Sequence, residues 1–283
     1  MKAKTPSEAL LHRKNIIKDN PKFRAAIREH YQINDKLYKK QPLFYKVMLQ
    51  ESRLNIALSV CCFIFGNQAS CVSDIKELCS RYKIASPNSV IAIIALLKTT
   101  NRIKTWRSPE DRRKVLIMPT QKGIDELKRY MSGAFLPLNL LYPEYNISVD
   151  LLDDEVPRQD FFRRAAQYLF RGVTFKENLP EVGVFIGKDG GRMIMLYLYL
   201  QAIENMTTRG AIINYSSNAL AKEFFVSRIH VSKIIKIAQG TGYLKERADG
   251  LIEIYPSFIQ LVENYTGLYF AYVMHYLNLH PEK

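Results

Sequence analysis

The stretch SPNSVIAIIALLKTTNRIKTW (86–106) aligns without a gap on the stretch SRIHVSKIIKIAQGTGYLKER (227–247) when the sequence is shifted by 141 residues. Few residues are identical, but the pattern of apolar positions agrees. Ser86 faces Ser227, Val90 faces Val231 and Lys104 faces Lys245. A pattern repeated in register over this length predicts two copies of one structural unit.

The second copy has the clearer pattern of secondary structure. Apolar residues at three- and four-residue steps predict a helix that begins near Ser227, with one buried face: Val231, Ile234, Ile235 and Ala238. The segment NALAKEFFVS (218–227) predicts a shorter helix and a tight turn before it. Gly240 and Gly242 end the helix, and the alternating segments YLKER and LIEI predict a β-hairpin around Ala248-Asp249-Gly250. Helix, turn, helix and hairpin is the order of a winged helix-turn-helix.

The segments around this second copy complete the unit. MIMLYLYLQAIENM (193–206) predicts a first packing helix, and residues 212–215 predict a short third strand.

The first copy follows the same plan. A long helix is predicted from about residue 43 to 65, a second over 74–82, and a third from Pro87, where Ser86 is a suitable cap. RIKTW and KVLIM then pair as strands around SPEDRR (108–113). We therefore predict a mainly α fold with small β-hairpin wings, built from two winged helix-turn-helix domains in tandem with additional helices at both ends.

The composition divides the chain into four segments. Residues 1–42 form a basic N-terminal helical arm, 43–131 the first winged-helix domain, 132–157 an acidic linker rich in Pro and Asn, and 158–283 the second winged-helix domain with an aromatic C-terminal helix. Two interpretations of the terminal helices stay open. They either cover the cores of the two domains or form the interface of a homodimer, where aromatic residues are enriched.

The net charge of +14 indicates an anionic partner, nucleic acid before a membrane surface. Twelve Lys or Arg residues lie within 1–46, whereas 134–160 holds six acids and one arginine, so a polyanion would avoid the middle of the chain. Apolar runs are too short to cross a bilayer, and no targeting segment is apparent at the N-terminus, so we predict a cytoplasmic protein that does not bind membranes.

No pattern in the sequence predicts an enzyme. The five histidines are scattered, so no metal site is expected, and GVFIGKDGG (183–191) is too short for a phosphate-binding loop and predicts a turn before a helix. We expect no cofactor. Cys61, Cys62 and Cys79 lie on apolar helix faces, which favours buried structural thiols over a redox sensor.

The segment SPEDRRKVLIMPTQKG (108–123) resembles the wing and the following helix of MarR-type (multiple-antibiotic-resistance regulator) transcription factors. Asp111-Arg112-Arg113 matches their Asp-x-Arg, and Thr120-Gln121-Lys122-Gly123 matches their Thr-x-x-Gly, although Pro119 stands where they usually have leucine. The likeness covers about residues 50–130. It implies a transcription regulator that binds double-stranded DNA as a homodimer, with a small-molecule effector between the dimer helices and the DNA-binding domain.

Contact with DNA by this fold needs a helix in the major groove and a wing at the backbone or minor groove. In the first wing, Arg113 is the candidate for the minor groove, Asp111 would hold an arginine side chain extended, and Arg107, Arg112 and Lys114 would contact phosphate. The first helix offers Ser86, Asn88, Ser89 and Lys98, on a surface apolar enough to contact thymine methyl groups or to be partly buried. The second offers Ser227, Arg228, His230, Ser232, Lys233 and Lys236, with Arg247 in its wing.

Two other functions use the same architecture. A plasmid-type replication initiator also joins two winged helices on a basic chain, and some winged helices bind proteins as assembly scaffolds. The Asp-x-Arg wing favours a transcription regulator over both.

Overall fold

The computed structural model describes residues 5–66 and 71–281. In the N-terminal half these form α1 (Pro6–Lys18), α2 (Phe23–Lys40), α3 (Pro42–Met48), α4 (Glu51–Phe65), α5 (Val72–Arg81), α6 (Pro87–Thr99), β1 (Ile103–Arg107), β2 (Val115–Pro119) and α7 (Gln121–Leu141). The C-terminal half forms α8 (Glu155–Leu169), α9 (Phe175–Asn178), α10 (Gly183–Ile186), α11 (Gly191–Glu204), β3 (Ala211–Asn214), α12 (Ser217–Glu223), α13 (Arg228–Gly240), β4 (Leu244–Glu246), β5 (Leu251–Ile254) and α14 (Pro256–Tyr276). The predicted mainly helical fold with small antiparallel sheets is confirmed.

The internal repeat extends to the way in which α6 and α13 begin. Both helices have 13 residues, and both follow a serine cap. The Ser86 hydroxyl accepts a hydrogen bond from the backbone N–H of Ser89 at 3.3 Å, and Ser227 accepts one from His230 at 3.1 Å. These bonds satisfy N–H groups that a helix start leaves without a partner.

The two helices also end alike. Asn101 and Gly242, again 141 residues apart, adopt left-handed backbone with φ of 58° and 75°. The next residue in each case donates its N–H back to the helix, Arg102 to the carbonyl of Leu97 at 2.8 Å and Tyr243 to that of Ala238 at 3.0 Å. A left-handed residue of this kind commonly ends helices. In both halves it directs the backbone into the following strand.

Each half carries a small sheet with the same strand order. In the C-terminal half β5 lies between β3 and β4, and in the N-terminal half β2 lies between β1 and a single bridge formed by Cys71 with Leu116. The predicted hairpins, and the third strand predicted at 212–215, are confirmed. Both halves therefore run helix, strand or bridge, two helices, two strands and a closing helix.

The predicted helix over 43–65 is wrong as one continuous element. The chain forms α3 and α4 instead, because Gln50 is extended (ψ 133°) and starts a new helix. Among the described residues, no single helix has the length and apolarity to cross a bilayer, and α3 and α4, which pass that test only together, are bent by 91°.

The terminal helices are packed inside the chain. Helix α1 lies along α14, α2 lies along α7, and Tyr265 and Phe270 of α14 are fully buried. This arrangement agrees with the interpretation that these helices cover the core. The aromatic face of α14 is already occupied, so the homodimer stays a prediction without that support.

The segment 132–157 differs from the linker that its composition predicted. Its first ten residues complete α7, and two short 3-10 helices follow, at Pro143–Tyr145 and Val149–Leu152. Phe135, Leu138 and Leu152 are fully buried in the common core. The acids that suggested a linker lie on the outer side, where Lys128 pairs with Asp150 and Asp153.

Polar contacts join the N-terminal helices to the turn that precedes α13. The Tyr38 hydroxyl donates to the carbonyl of Phe224 at 2.6 Å, and the Lys46 ammonium donates to that of Phe225 at 3.0 Å. Arg53 pairs with Asp189 at 2.6 Å in the loop before α11. These bonds fix the start of α13 against α2, α3 and α4.

Candidate nucleic-acid interface

The outward face of α13 is basic. Val231, Ile234, Ile235 and Ala238 are buried as predicted, which turns Arg228, Ser232, Lys233 and Lys236 to the surface. No ion pair involves Arg228, Lys233 or Lys236 among the described residues. The sequence from 224 to 245 contains no Asp or Glu, so the positive field of this face is not neutralised locally.

Two residues predicted to contact DNA at the start of α13 have other roles in the structure. The Ser227 hydroxyl caps the helix, and the His230 ring turns away from the exposed face, with Nε2 2.9 Å from the carbonyl oxygen of Asp189. His230 is half-buried there, and its contact with DNA stays a prediction. Its position one turn into the helix could not reveal the loop that covers it.

Helix α6 presents a neutral outward face. Asn88, Ile91, Ala92 and Ala95 are exposed, and Ile91 keeps 47% of its surface accessible. Within the described part of the chain, no other element covers this face, which answers the alternative that it is partly buried. Ser86 and Ser89 bond to each other at 2.9 Å, and Lys98 is exposed near the C-terminal end.

The turn of the first hairpin is held by backbone bonds and by Asp111. Ser108 N–H donates to the carbonyl of Lys114 at 2.9 Å, and Asp111 Oδ1 accepts from the backbone N–H of Arg113 at 3.0 Å. We expected Asp111 to hold an arginine side chain, and this is wrong. A carboxylate two residues before an N–H forms a local turn instead, so Asp111 shapes the loop and leaves the arginines unpaired.

The basic side chains of this hairpin project into solvent. Arg107, Arg112, Arg113 and Lys114 are exposed, and none of them forms an ion pair with an acid in the described ranges. These positions are compatible with contact to phosphate by all four.

The sequence prediction missed two exposed residues of β1. Trp106 is 41% exposed and faces Leu116 across the hairpin, and Lys104, also exposed, faces Met118. The sequence could have predicted their exposure, because the alternation of side chains along the strand IKTWR puts Lys104 and Trp106 on the face opposite Ile103. They widen the candidate surface beyond the turn.

The second hairpin is poorer in free charge. Arg247, predicted to contact DNA, pairs with Asp249 at 3.0 Å across the turn. Its charge is therefore partly balanced within the hairpin, in contrast to the charges of the first hairpin.

The Thr-x-x-Gly motif joins the first hairpin to α7. The Thr120 hydroxyl accepts from the N–H of Gly123 at 3.0 Å and donates to the carbonyl of Asn101 at 2.7 Å. A Cβ on Gly123 would lie 2.1 Å from the carbonyl oxygen of Arg102. The backbones approach so closely that only glycine fits at this position.

A buried polar cluster lies directly behind this junction. The Arg102 guanidinium is 3.3 Å from Glu126, donates to Gln41 at 2.7 Å and lies 3.4 Å above the ring of Phe44. Tyr45 donates a further hydrogen bond to Glu126. The cluster ties the base of the hairpin to α3 and α7, so the hairpin is held on a rigid support.

The described residues give little support for a metal site or a redox sensor. No group of three or more His, Cys, Asp or Glu side chains there is arranged to hold a metal ion. Cys62, Cys71 and Cys79 are buried, and burial raises the pKa of the Cys61 thiol to about 12. A thiol that ionises so reluctantly is a poor peroxide sensor.

Comparison with known proteins gives no match: no protein-family model matches the chain, and no curated protein is similar to it. The likeness to MarR-type regulators therefore depends on the motifs within 108–123 and stays a prediction.

Proposed function

We propose that this chain binds double-stranded DNA, with α13 in the major groove and the β1–β2 hairpin at the backbone and minor groove. The observation that carries the proposal is the outward face of α13, where Arg228, Lys233 and Lys236 are exposed and form no ion pair with an acid in the part of the chain that the structure describes. Arginine at the start of such a helix suits the paired acceptors of guanine, and lysines beside it suit phosphate.

The order of elements supports a tandem winged-helix architecture. In both halves a capped helix with one buried face follows a short helix and precedes an antiparallel hairpin. That order is typical of winged helices, in which the second helix of the helix-turn-helix is the one that enters the groove.

The two halves are proposed to read DNA unequally. The face of α6 offers Asn88, Ile91, Ala92 and Ala95, which suit contact with thymine methyl groups, while Arg113 of the adjoining hairpin supplies the charge for a narrow minor groove. The face of α13 supplies base recognition and phosphate contacts together. One chain would thus cover an asymmetric site.

Within DNA-binding proteins, we propose a transcription regulator. The motif Asp111-Arg112-Arg113 supports it, by resemblance, over a plasmid-type replication initiator. Selection of bound fragments from the genome of the source organism separates the two: a regulator recovers sites in promoters, whereas an initiator recovers one array of repeats near an origin.

The same experiment tests the scaffold alternative. A protein-binding winged helix would recover no enriched duplex, and the Arg228→Ala variant would behave as wild type. The Arg163→Ala variant is the matched control, because Arg163 is an exposed arginine on α8 that already pairs with Asp160 at 2.8 Å. Absence of any enriched sequence with the folded wild-type protein would contradict the proposal.

A further inference from the structure

A cavity of about 210 Å³ lies between α4, α7, α8 and α14. Its walls are almost entirely apolar and include Leu58, Leu127, Phe161, Phe162 and Tyr272. Residues from both halves of the chain contribute, so it belongs to the shared core. Apolar cavities with one or two polar groups are the usual form of small-molecule sites.

One of the charged groups that line this cavity is the guanidinium of Arg192, the second residue of α11; Glu51, Arg102 and Glu126 also line it. The side chain is only 4% exposed and lines the cavity, yet its Nε and Nη2 atoms have no hydrogen-bond partner among the described residues. Nη1 makes one long contact, 3.5 Å, with the Tyr130 hydroxyl, and the guanidinium lies 5.6 Å from the ring of Tyr265.

An arginine in this position is costly to the free protein. A guanidinium keeps its charge even when buried, and a buried donor without a partner loses the hydrogen bonds that water gave it. Buried charges are normally paired. None of the ion pairs in the described residues includes Arg192. A carboxylate can complete two such N–H groups with two parallel hydrogen bonds.

We propose that this cavity binds an apolar carboxylate, with the carboxylate held by Arg192 and the hydrocarbon part against the aromatic and aliphatic walls. A cavity of about 150 Å³ holds benzene, so the present volume suits a molecule of about eight carbon atoms. Binding at this site does not depend on DNA and goes beyond the proposed function.

Glu51 sets a limit on the ligand. It lines the same cavity, and its carboxylate accepts the backbone N–H of Lys176 at 3.1 Å. Burial raises the pKa of Glu51, and the positive charge of Arg192 opposes that shift. Glu51 and Arg192 therefore interact electrostatically. If Arg192 served only to balance Glu51, an added carboxylate would find no free donor.

Isothermal titration with octanoate, and with 1-octanol as its uncharged analogue, tests the proposal on the whole chain. We expect wild-type protein to bind octanoate, and Arg192→Met to weaken that binding at least tenfold while 1-octanol binding is unchanged. Arg163→Met, which removes an exposed arginine from a helix that lines the cavity, should bind octanoate as wild type does. Equal octanoate affinity of wild type and Arg192→Met, or no octanoate binding by wild type, would overturn the proposal.

A second measurement uses wild-type protein alone and so does not depend on folding of the variant. Octanoate labelled with ¹³C at the carboxyl carbon reports its own ionisation by NMR. Beside a buried guanidinium, the pKa of the bound carboxylate should fall by about one unit or more relative to free octanoate. A pKa raised on binding would mean that the carboxyl group lies against apolar wall, away from Arg192, and would refute the assignment.

Discussion

Replacing Gly123 with alanine tests how the candidate wing is joined to the helix behind it. The new Cβ would lie 2.1 Å from a backbone oxygen, that of Arg102, which cannot rotate away as a side chain would. Overpacking of this kind costs about 1–3 kcal/mol. A shift that relieves it also breaks the bond between the Thr120 hydroxyl and the Gly123 N–H, for about 1 kcal/mol more. The higher helix propensity of alanine offsets about 1 kcal/mol of this destabilisation. The free energy of unfolding should therefore fall by about 1–3 kcal/mol.

Denaturant unfolding followed by circular dichroism measures this change. Gly240→Ala is the matched control, because Gly240 also lies in a helix, is exposed, and has nothing within 4 Å of an added Cβ. That control should be neutral or stabilising, by up to about 1 kcal/mol. If Gly123→Ala were as stable as Gly240→Ala, the close approach between α7 and the end of α6 would not be the reason for the Thr-x-x-Gly motif.

Four further expectations concern charged and titratable side chains. Arg113→Ala should weaken binding and reduce the slope of log affinity against log salt by about one. Arg228→Ala should cost about 1–3 kcal/mol on the preferred site and relax base preference. Both are read from anisotropy titrations, and equal losses on all sequences for Arg228→Ala would contradict its role. Burial lowers the pKa of His30 from 6.5 to about 4, so on acidification this histidine takes up a proton in the unfolded chain before it does so in the folded chain. Acidification from pH 6.5 to 4 should therefore lower the free energy of unfolding by about 3 kcal/mol. His30→Gln should flatten that pH profile, while His12→Gln, at an exposed position, should leave it unchanged; a profile that both variants share would exclude His30 as its source. The Cys61 thiol, with its pKa raised to about 12, should resist alkylation in the folded protein at neutral pH, and mass spectrometry showing rapid modification there would contradict that raised pKa.

Local patterns in the sequence predicted the repeated units well. The Ser86 cap, the buried stripe of α13 and the glycine turn after α13 are determined within a dozen residues, and each is as the pattern indicated. The hairpin around SPEDRR also needed only its own alternation and turn residues. These features depend on interactions close in sequence, which is why the sequence reveals them.

Features set by distant contacts were not predictable in the same way. The supposed linker at 132–157 is packed because Phe135, Leu138 and Leu152 fill a core that other helices provide. His230 turns inward because the carbonyl of Asp189, 41 residues away, accepts its hydrogen bond. No local pattern carries such information. The acidic composition of 132–157 suggested a linker and gave no sign of the packed helices found there.

The salt dependence of duplex binding by the Lys233→Ala/Lys236→Ala variant tests the central claim most directly. Both lysines are exposed on α13 and pair with no acid within residues 5–66 and 71–281. If that helix lies in the major groove with both lysines at phosphates, the slope of log affinity against log salt should fall by about two relative to wild type. Arg163→Ala should retain the wild-type slope. A double variant whose affinity and slope both match wild type would show that α13 does not contact DNA.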